Sequence, residues 1–226
     1  MEIRLENVWH SYNGASYALK SINLVFRDPG VYIVVGPNGS GKTTLLKILT
    51  LILKPSRGRV IVDGEDFWSL ADDKKQIIRR LVAYVHDKPI LLHNTVKYNI
   101  ELGLKLRGEN REKEVLEYAS RYGLIEALEK PAHILSAGQA KAVSIIRALL
   151  LKPKLLALDE PFSFLDSTRT RLVLEDIRLL VEKGSTIIIS THYTYKDLMK
   201  IANNVIEIIN GEVLSNVKSG VRVMLP

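Results

Sequence analysis

The chain has 226 residues, 46% hydrophobic and 25% charged, with 32 basic against 25 acidic side chains and a net charge of +7. That length buries most of its apolar surface without staples, and the absence of cysteine excludes a disulfide framework, thiolate metal sites and a cysteine nucleophile, in keeping with an intracellular protein. The basic residues are scattered through "KKQIIRR", "RGENREKE" and "TRTR", with no continuous block and no interleaved aromatics, which reads as solvated faces and a modest pull toward anions rather than a nucleic-acid surface.

The opening "MEIRLENVWHSY" alternates charged and apolar residues and lacks the basic start and hydrophobic block of an export signal. Residues 2–9 and 17–26 alternate as strands around "NGA", predicting an antiparallel hairpin. Trp9 and Trp68 are read as packing residues. "VYIVV", 31–35, is continuously apolar and β-branched, as a strand buried on both faces requires. "KTTLLKILTLIL" predicts a helix over 42–53. Its most apolar part, 45–53, contains Lys47 and is about half of the roughly 18 residues a membrane span needs, so no crossing is expected.

"AYVHDKPILL", 83–92, reads as a short buried strand stopping on Asp87. From about 88 to 151 the pattern is helical, as in "REKEVLEYASRYG" and "GQAKAVSIIRALLL", with almost no strand signal. Apolar strands return in "LLAL" (155–158), "TIIIS" (186–190) and "VIEII" (205–209), separated by helical "TRTRLVLEDIRLLVEK" (168–183) and "TYKDLMKIA" (194–202). This alternation predicts a parallel α/β sheet covered on both faces, with a helical insertion in its middle. No fixed-period repeat, low-complexity tract or long linker divides the chain.

"GPNGSGKT", comprising Gly36, Pro37, Asn38, Gly39, Ser40, Gly41, Lys42 and Thr43, follows a buried strand and opens an apolar helix, the context a phosphate loop requires. Its glycines let backbone N–H groups wrap a phosphate chain, Lys42 reaches the β and γ phosphates, and the Thr43 hydroxyl serves Mg²⁺. Thr44 follows in the same helix start. "LLALDEP" delivers Asp159 and Glu160 at the carboxyl end of a strand, where parallel sheets place their chemistry. Asp159 would hold Mg²⁺ through water and Glu160 would polarise a water attacking the γ-phosphate. His10, His86, His93 and His133 show no ligand spacing and read as surface or turn residues. On local signal alone, Ser136 and Asp166 are helix N-caps and Tyr12 is a residue of a hairpin turn.

With "LSAGQ" (135–139), "FSFLD" (162–166) and "STH" (190–192) set in order around the phosphate loop and the Asp-Glu strand end, essentially the whole chain resembles the nucleotide-binding subunit of ABC transporters. The resemblance implies a P-loop NTPase with a RecA-like parallel core and N-terminal antiparallel β subdomain, about 1–87 and 152–226, and an inserted helical subdomain, about 88–151. It implies ATP and Mg²⁺ as cofactors and a head-to-tail dimer, with itself or a paired subunit, in which Ser136, Gly138 and Gln139 contact the ATP of the opposite copy. It makes His192 a γ-phosphate switch that holds the attacking water with Glu160, Asp166 a link between the two sites, and Tyr12 a ring stacked on adenine.

The resemblance further implies an integral-membrane permease, with "KPILLHNTVKYNI" receiving its coupling helix, a cytoplasmic location on the inner face of the membrane, and an extracytoplasmic binding protein for an importer. "ELGLKLRG" looks most like oxyanion importers of the tungstate or phosphate kind. The chain ends with "NGEVLSNVKSGVRVMLP", from which the regulatory β-domain appended in sugar-type importers is expected to be absent. Two alternatives stand beside the transporter: a soluble ABC ATPase in assembly or repair, and an ATP-binding regulatory module with weak hydrolysis.

Two positions depart from the family pattern. Ala137 replaces a glycine: its methyl narrows the allowed backbone angles and is expected to crowd the nucleotide, and if that position lies at φ > 0 turnover is reduced. Asp87 replaces a glutamine that reaches Mg²⁺; the shorter, charged, acceptor-only side chain either binds Mg²⁺ through a water or repels the γ-phosphate and slows closure.

Overall fold

The computed structural model describes residues 1–192 and 196–218. β1 (Ile3–His10) and β2 (Leu19–Phe26) pair antiparallel, as the alternation predicts. A bulge around Asn7, whose φ is 48, shifts the register, so Ile3 and Leu5 before it and Val8 and His10 after it all point inward. His10, expected at the surface, is therefore buried.

β3 (Gly30–Val35) is buried at every residue and feeds α1 (Lys42–Leu49). The predicted helix to Leu53 stops early because Leu51 takes φ 62 and the chain closes back on α1. Leu51 N donates to Ile48 O at 3.0 Å and Ile52 N to Lys47 O at 3.0 Å, the paired bonds of a Schellman end. β4 (Arg57–Val62), β5 (Glu65–Asp66) and α2 (Asp72–Arg79) come next. They carry no clear apolar period: β4 buries only its second half and α2 buries no residue.

β6 (Val82–Val85) ends two residues ahead of Asp87, not on it. Its last partner is Leu158, paired with Val85, and beyond it the carbonyls of His86 and Asp87 accept from Lys141 Nζ instead of a neighbouring strand. The helical middle follows as α3 (Val96–Lys105), α4 (Glu112–Arg121) and α5 (Ala137–Leu149), then β7 (Leu155–Asp159), α6 (Ser167–Glu182), β8 (Thr186–Thr191), α7 (Lys196–Ile201), β9 (Ala202–Ile209) and β10 (Glu212–Lys218). Of the predicted helix over 194–202, residues 194 and 195 lie outside the described residues and Ala202 already belongs to β9. The expectation about the run after residue 218 also falls outside the described residues.

The main sheet runs β10-β9-β3-β8-β7-β6, parallel from β9 to β6 with β10 antiparallel at its edge; β2-β1-β4-β5 form the second sheet. Side chains alternate across the pleat: Val31, Ile33 and Val35 join Leu156, Leu158, Ile187 and Ile189 against α3, α5 and α6. Tyr32 and Val34 join Ala157 and Ile188 against α1 and the antiparallel sheet. This is the α/β architecture expected, with an antiparallel β subdomain and a helical region between β6 and β7. Among the described residues no helix is long and apolar enough to cross a membrane. The carboxyl ends of the adjacent strands β3, β8 and β7 therefore open together on one edge.

Candidate active site

Residues 36–41 leave β3 as a loop that only glycine can close. Gly39 and Gly41 take φ 79 and 106, and a Cβ on Gly41 would lie 2.4 Å from the carbonyl oxygen of Ala18. Gly41 is the N-cap of α1, so no side chain caps that end, and no acidic residue stands in the first turn. Unsatisfied N–H groups and the positive end of the helix dipole thus face the loop, an anion site by construction. Ser40 Oγ is buried there without a protein partner, and the loop lines a cavity of ≈ 330 Å³ shared with Tyr12, Thr43, Thr44, Asp87, Asp159 and Glu160.

Lys42 is buried, and its Nζ donates to Gly36 O at 2.8 Å and Pro37 O at 3.1 Å. Burial lowers its pKa from the ordinary value, against the opposing pull of the Glu160 and Asp159 charges. An arriving phosphate offers it stronger acceptors than two carbonyls. Tyr12 is 63% exposed at the cavity rim, held by its hydroxyl 3.1 Å from Thr44 Oγ1 and by edge-on contact with the His10 ring. The buried His10 thereby props up a flat aromatic face open to a planar ligand.

At the end of β7, Asp159 is 1% exposed, and its charge is met by three hydroxyls. Thr43 Oγ1 donates at 2.7 Å, Tyr84 OH at 3.0 Å, and Ser190 Oγ donates to the other carboxylate oxygen. Burial first, then the Asp159 charge, raise the Tyr84 pKa well above its ordinary value. Glu160 takes φ 43, a left-handed conformation costing a non-glycine residue about 1–3 kcal/mol. It is anchored by its N–H to Ser190 O at 3.1 Å, and its Oε1 lies 2.7 Å from His192 Nδ1. An ionised carboxylate only accepts, so the shared proton belongs to Nδ1. The pair can hold a water and take its proton.

The residues fit a small hard cation. Thr43 and Asp159 set two oxygens side by side, and no group of three or more His, Asp or Glu is gathered for a metal among the described residues. Two protein oxygens suit Mg²⁺, which keeps waters and takes its remaining ligands from phosphates.

The other predicted site residues stand apart from the cavity. Ser136 caps α5 in a capping box: Gln139 N donates to Ser136 Oγ at 3.3 Å, and Ser136 N to Gln139 Oε1 at 3.0 Å. A Cβ on Gly138 would lie 2.5 Å from Phe164 O, so this helix start packs on the "FSFLD" turn. Asp166 caps α6 through Arg169 N at 2.7 Å and pairs with Arg169 Nη1 at 2.6 Å. That N–H, then the Arg169 guanidinium, hold its carboxyl below the usual range. Ser136, Gly138, Gln139 and Asp166 do not line the cavity.

Ala137 is the first residue of α5 and does not take a positive φ. The backbone objection to its methyl therefore falls. An Ala137→Gly variant should keep kcat within about twofold and lose ~0.5–1 kcal/mol of stability through helix propensity, read by urea unfolding. Tyr84, Ser190 and Lys141 were not legible as site residues. The serine of "STH" was the one available signal.

Residues 19–163 match the family model described as ABC transporter. The phosphate import ATP-binding protein PstB 2 of Natronomonas pharaonis is 30% identical over 224 residues, covering 94% of this chain and 78% of that protein. The molybdate/tungstate import ATP-binding protein WtpC of Pyrococcus horikoshii is 34% identical over 217 residues, covering 94% of this chain and 61% of that longer protein. Among solved structures, a dimeric post-hydrolysis state of the ATP-binding cassette MJ0796 bound to ADP and Pi matches with a TM-score of 0.87 at 30% identity. It covers 97% of this chain and 100% of that one.

Proposed function

The chain belongs to the ABC transporter family as an ATP-binding cassette with ATPase activity, and from that premise we propose that two copies close head to tail around two Mg-ATP and drive a separate membrane permease. The observation that carries this reading is that the site is split: the phosphate loop, Asp159, Glu160 and His192 meet in one place, whereas the capped start of α5 lies elsewhere. Ser136, Gly138 and Gln139 form an N-terminal anion cradle that a second copy's nucleotide would fill.

In this reading the loop from Gly36 to Thr44 wraps the phosphates through the N–H groups of its residues other than Pro37, and Lys42 moves from the carbonyls of Gly36 and Pro37 to the β and γ phosphates. Tyr12 stacks on the base. Thr43, Asp159 and Asp87 are the residues that would hold Mg²⁺. When bound, Mg²⁺ would supply positive charge that offsets the negative charge of the phosphates. Glu160 takes a proton from water as its oxygen bonds to the γ-phosphorus and the bond from that phosphorus to the bridging oxygen breaks, leaving ADP and phosphate. His192 orients Glu160 and the γ-phosphate, and Asp166 relays closure to the opposite site.

The helical subdomain, about 88–151, moves on the core and meets the permease at the inner membrane face. An apolar groove of ≈ 310 Å³ between β6, α3 and α5 suits a permease helix, with Ile90 63% and Leu106 77% exposed at its rim. The relatives named for phosphate and for molybdate/tungstate import favour an oxyanion cargo and an extracytoplasmic binding protein.

The test is ATP turnover against protein concentration. The rate should rise with about the square of concentration while dimers are scarce, and Lys42→Ala should weaken nucleotide binding at least about tenfold. A rate linear down to the lowest concentration, with no ATP-dependent dimer by light scattering, overturns the dimer. Fractionation away from the membrane in the cells that make this protein overturns the transport role.

A further inference from the structure

Lys141 lies in the second turn of α5, and it is 0% exposed. Its Nζ donates to His86 O at 3.0 Å, Asp87 O at 2.8 Å and Asp159 O at 3.1 Å. An ammonium has three donors, and all three go to main-chain carbonyls of two separate segments, the bend after β6 and the end of β7. Asp87, Asp159 and Glu160 supply the nearby negative charge that a buried ammonium requires.

Two turns further along α5, Arg147 donates to Ile90 O at 3.0 Å and to Asn99 O at 2.7 Å. The 86–90 segment is thus strapped to one helix at both ends, by Lys141 at His86 and Asp87 and by Arg147 at Ile90. A side chain that merely filled space would need neither the charge nor the three aligned acceptors.

We propose that Lys141 is a positioning residue for hydrolysis, fixing Asp87 against Asp159 and Glu160 through their main chain and so making α5 set the geometry of this chain's own site. Because α5 begins at Ser136, a shift of that helix start is carried to Asp87. The further step, that the second copy's nucleotide causes the shift, rests on the dimer reading.

The test compares Lys141→Met and Lys141→Gln for kcat, KM, binding of a fluorescent ATP analogue, and hydrogen exchange of the amides at 86–90. In Lys141→Met, kcat should fall about 10- to 100-fold, the size of a small misplacement at a reacting centre. Analogue affinity should stay within about threefold and exchange at 86–90 should accelerate; Lys141→Gln, which keeps two donors, should recover part of both losses. In an Asp87→Ala background, Lys141→Met should cost less than about threefold more, because coupled residues are not additive.

A folded Lys141→Met with kcat and exchange unchanged overturns the proposal, as does an undiminished loss in the Asp87→Ala background. Should Lys141→Met not fold, the same measurements on Lys141→Gln decide in its place: a smaller fall in kcat with faster exchange supports the role, and no change in either overturns it. If unaltered protein forms no ATP-dependent dimer yet the kcat and exchange effects appear, the positioning role stands and the dimer reading alone falls.

Discussion

Glu160→Gln should lower kcat by about 100- to 10,000-fold, the usual worth of a positioned general base, while nucleotide binding persists. The substitution keeps the size of the side chain, and the backbone of residue 160 stays pinned by its N–H to Ser190 O. What is lost is the acceptor-only carboxylate beside His192 Nδ1: an amide cannot take a proton from water at neutral pH. Lys42, Thr43 and Asp159 are untouched, so ATP still enters and, in the dimer reading, the closed state accumulates because nothing dissolves it. Single-turnover quench gives the chemical step directly, and size exclusion with ATP gives the trapped dimer. Turnover within about tenfold of the unaltered enzyme would remove Glu160 as the base and hand that role to another group, such as His192.

The parts of the site that could be read in advance are those whose chemistry lies within a few consecutive residues. "GPNGSGKT" after a doubly buried strand carries its own backbone logic, since Gly39 and Gly41 must take left-handed angles and α1 must open without a cap. "LLALDEP" shows a carboxylate pair at a strand end by position alone. The partners of Asp159 were hidden because they follow from strand order. Tyr84 and Ser190 reach it only because β6 and β8 flank β7, an adjacency that a linear pattern does not contain. Lys141 was hidden for a different reason: a lysine on an amphipathic helix reads as solvated, and only the fold brings carbonyls to it, from the bend of residues 86–87 and from the end of β7.

Fold errors share that origin. β4 and α2 bury too little to leave a period, and the ends of α1 and β6 are set by closing hydrogen bonds of Leu51, Ile52, His86 and Asp87 rather than by composition. Ala137 raised a doubt on the assumption of φ > 0, which the capping box on Ser136 and Gln139 removes by making it an ordinary first helical residue.

Asp159→Asn should abolish the Mg²⁺ dependence of nucleotide binding and lower kcat by about 100-fold or more, because the carboxylate and the Thr43 hydroxyl are the two oxygens poised for the metal. It should also cost ~1–3 kcal/mol of stability in the metal-free protein, since charge-assisted bonds from Thr43, Tyr84 and Ser190 are weakened together. The amide oxygen still accepts from the Thr43 and Tyr84 hydroxyls, but its NH₂ then faces the Ser190 hydroxyl, which must rotate to accept. Ser190 is the more confined of these partners, being 0% exposed beside a buried group, whereas Tyr84 is half-buried. ATP affinity measured in EDTA should be preserved or slightly improved, because a negative charge beside the phosphates is gone. Paired titrations of ATP with and without Mg²⁺, together with urea unfolding, separate the two effects. Loss of stability with Mg²⁺-dependent binding intact would leave Asp159 as a structural acceptor and move the metal's protein ligands to Thr43 and Asp87.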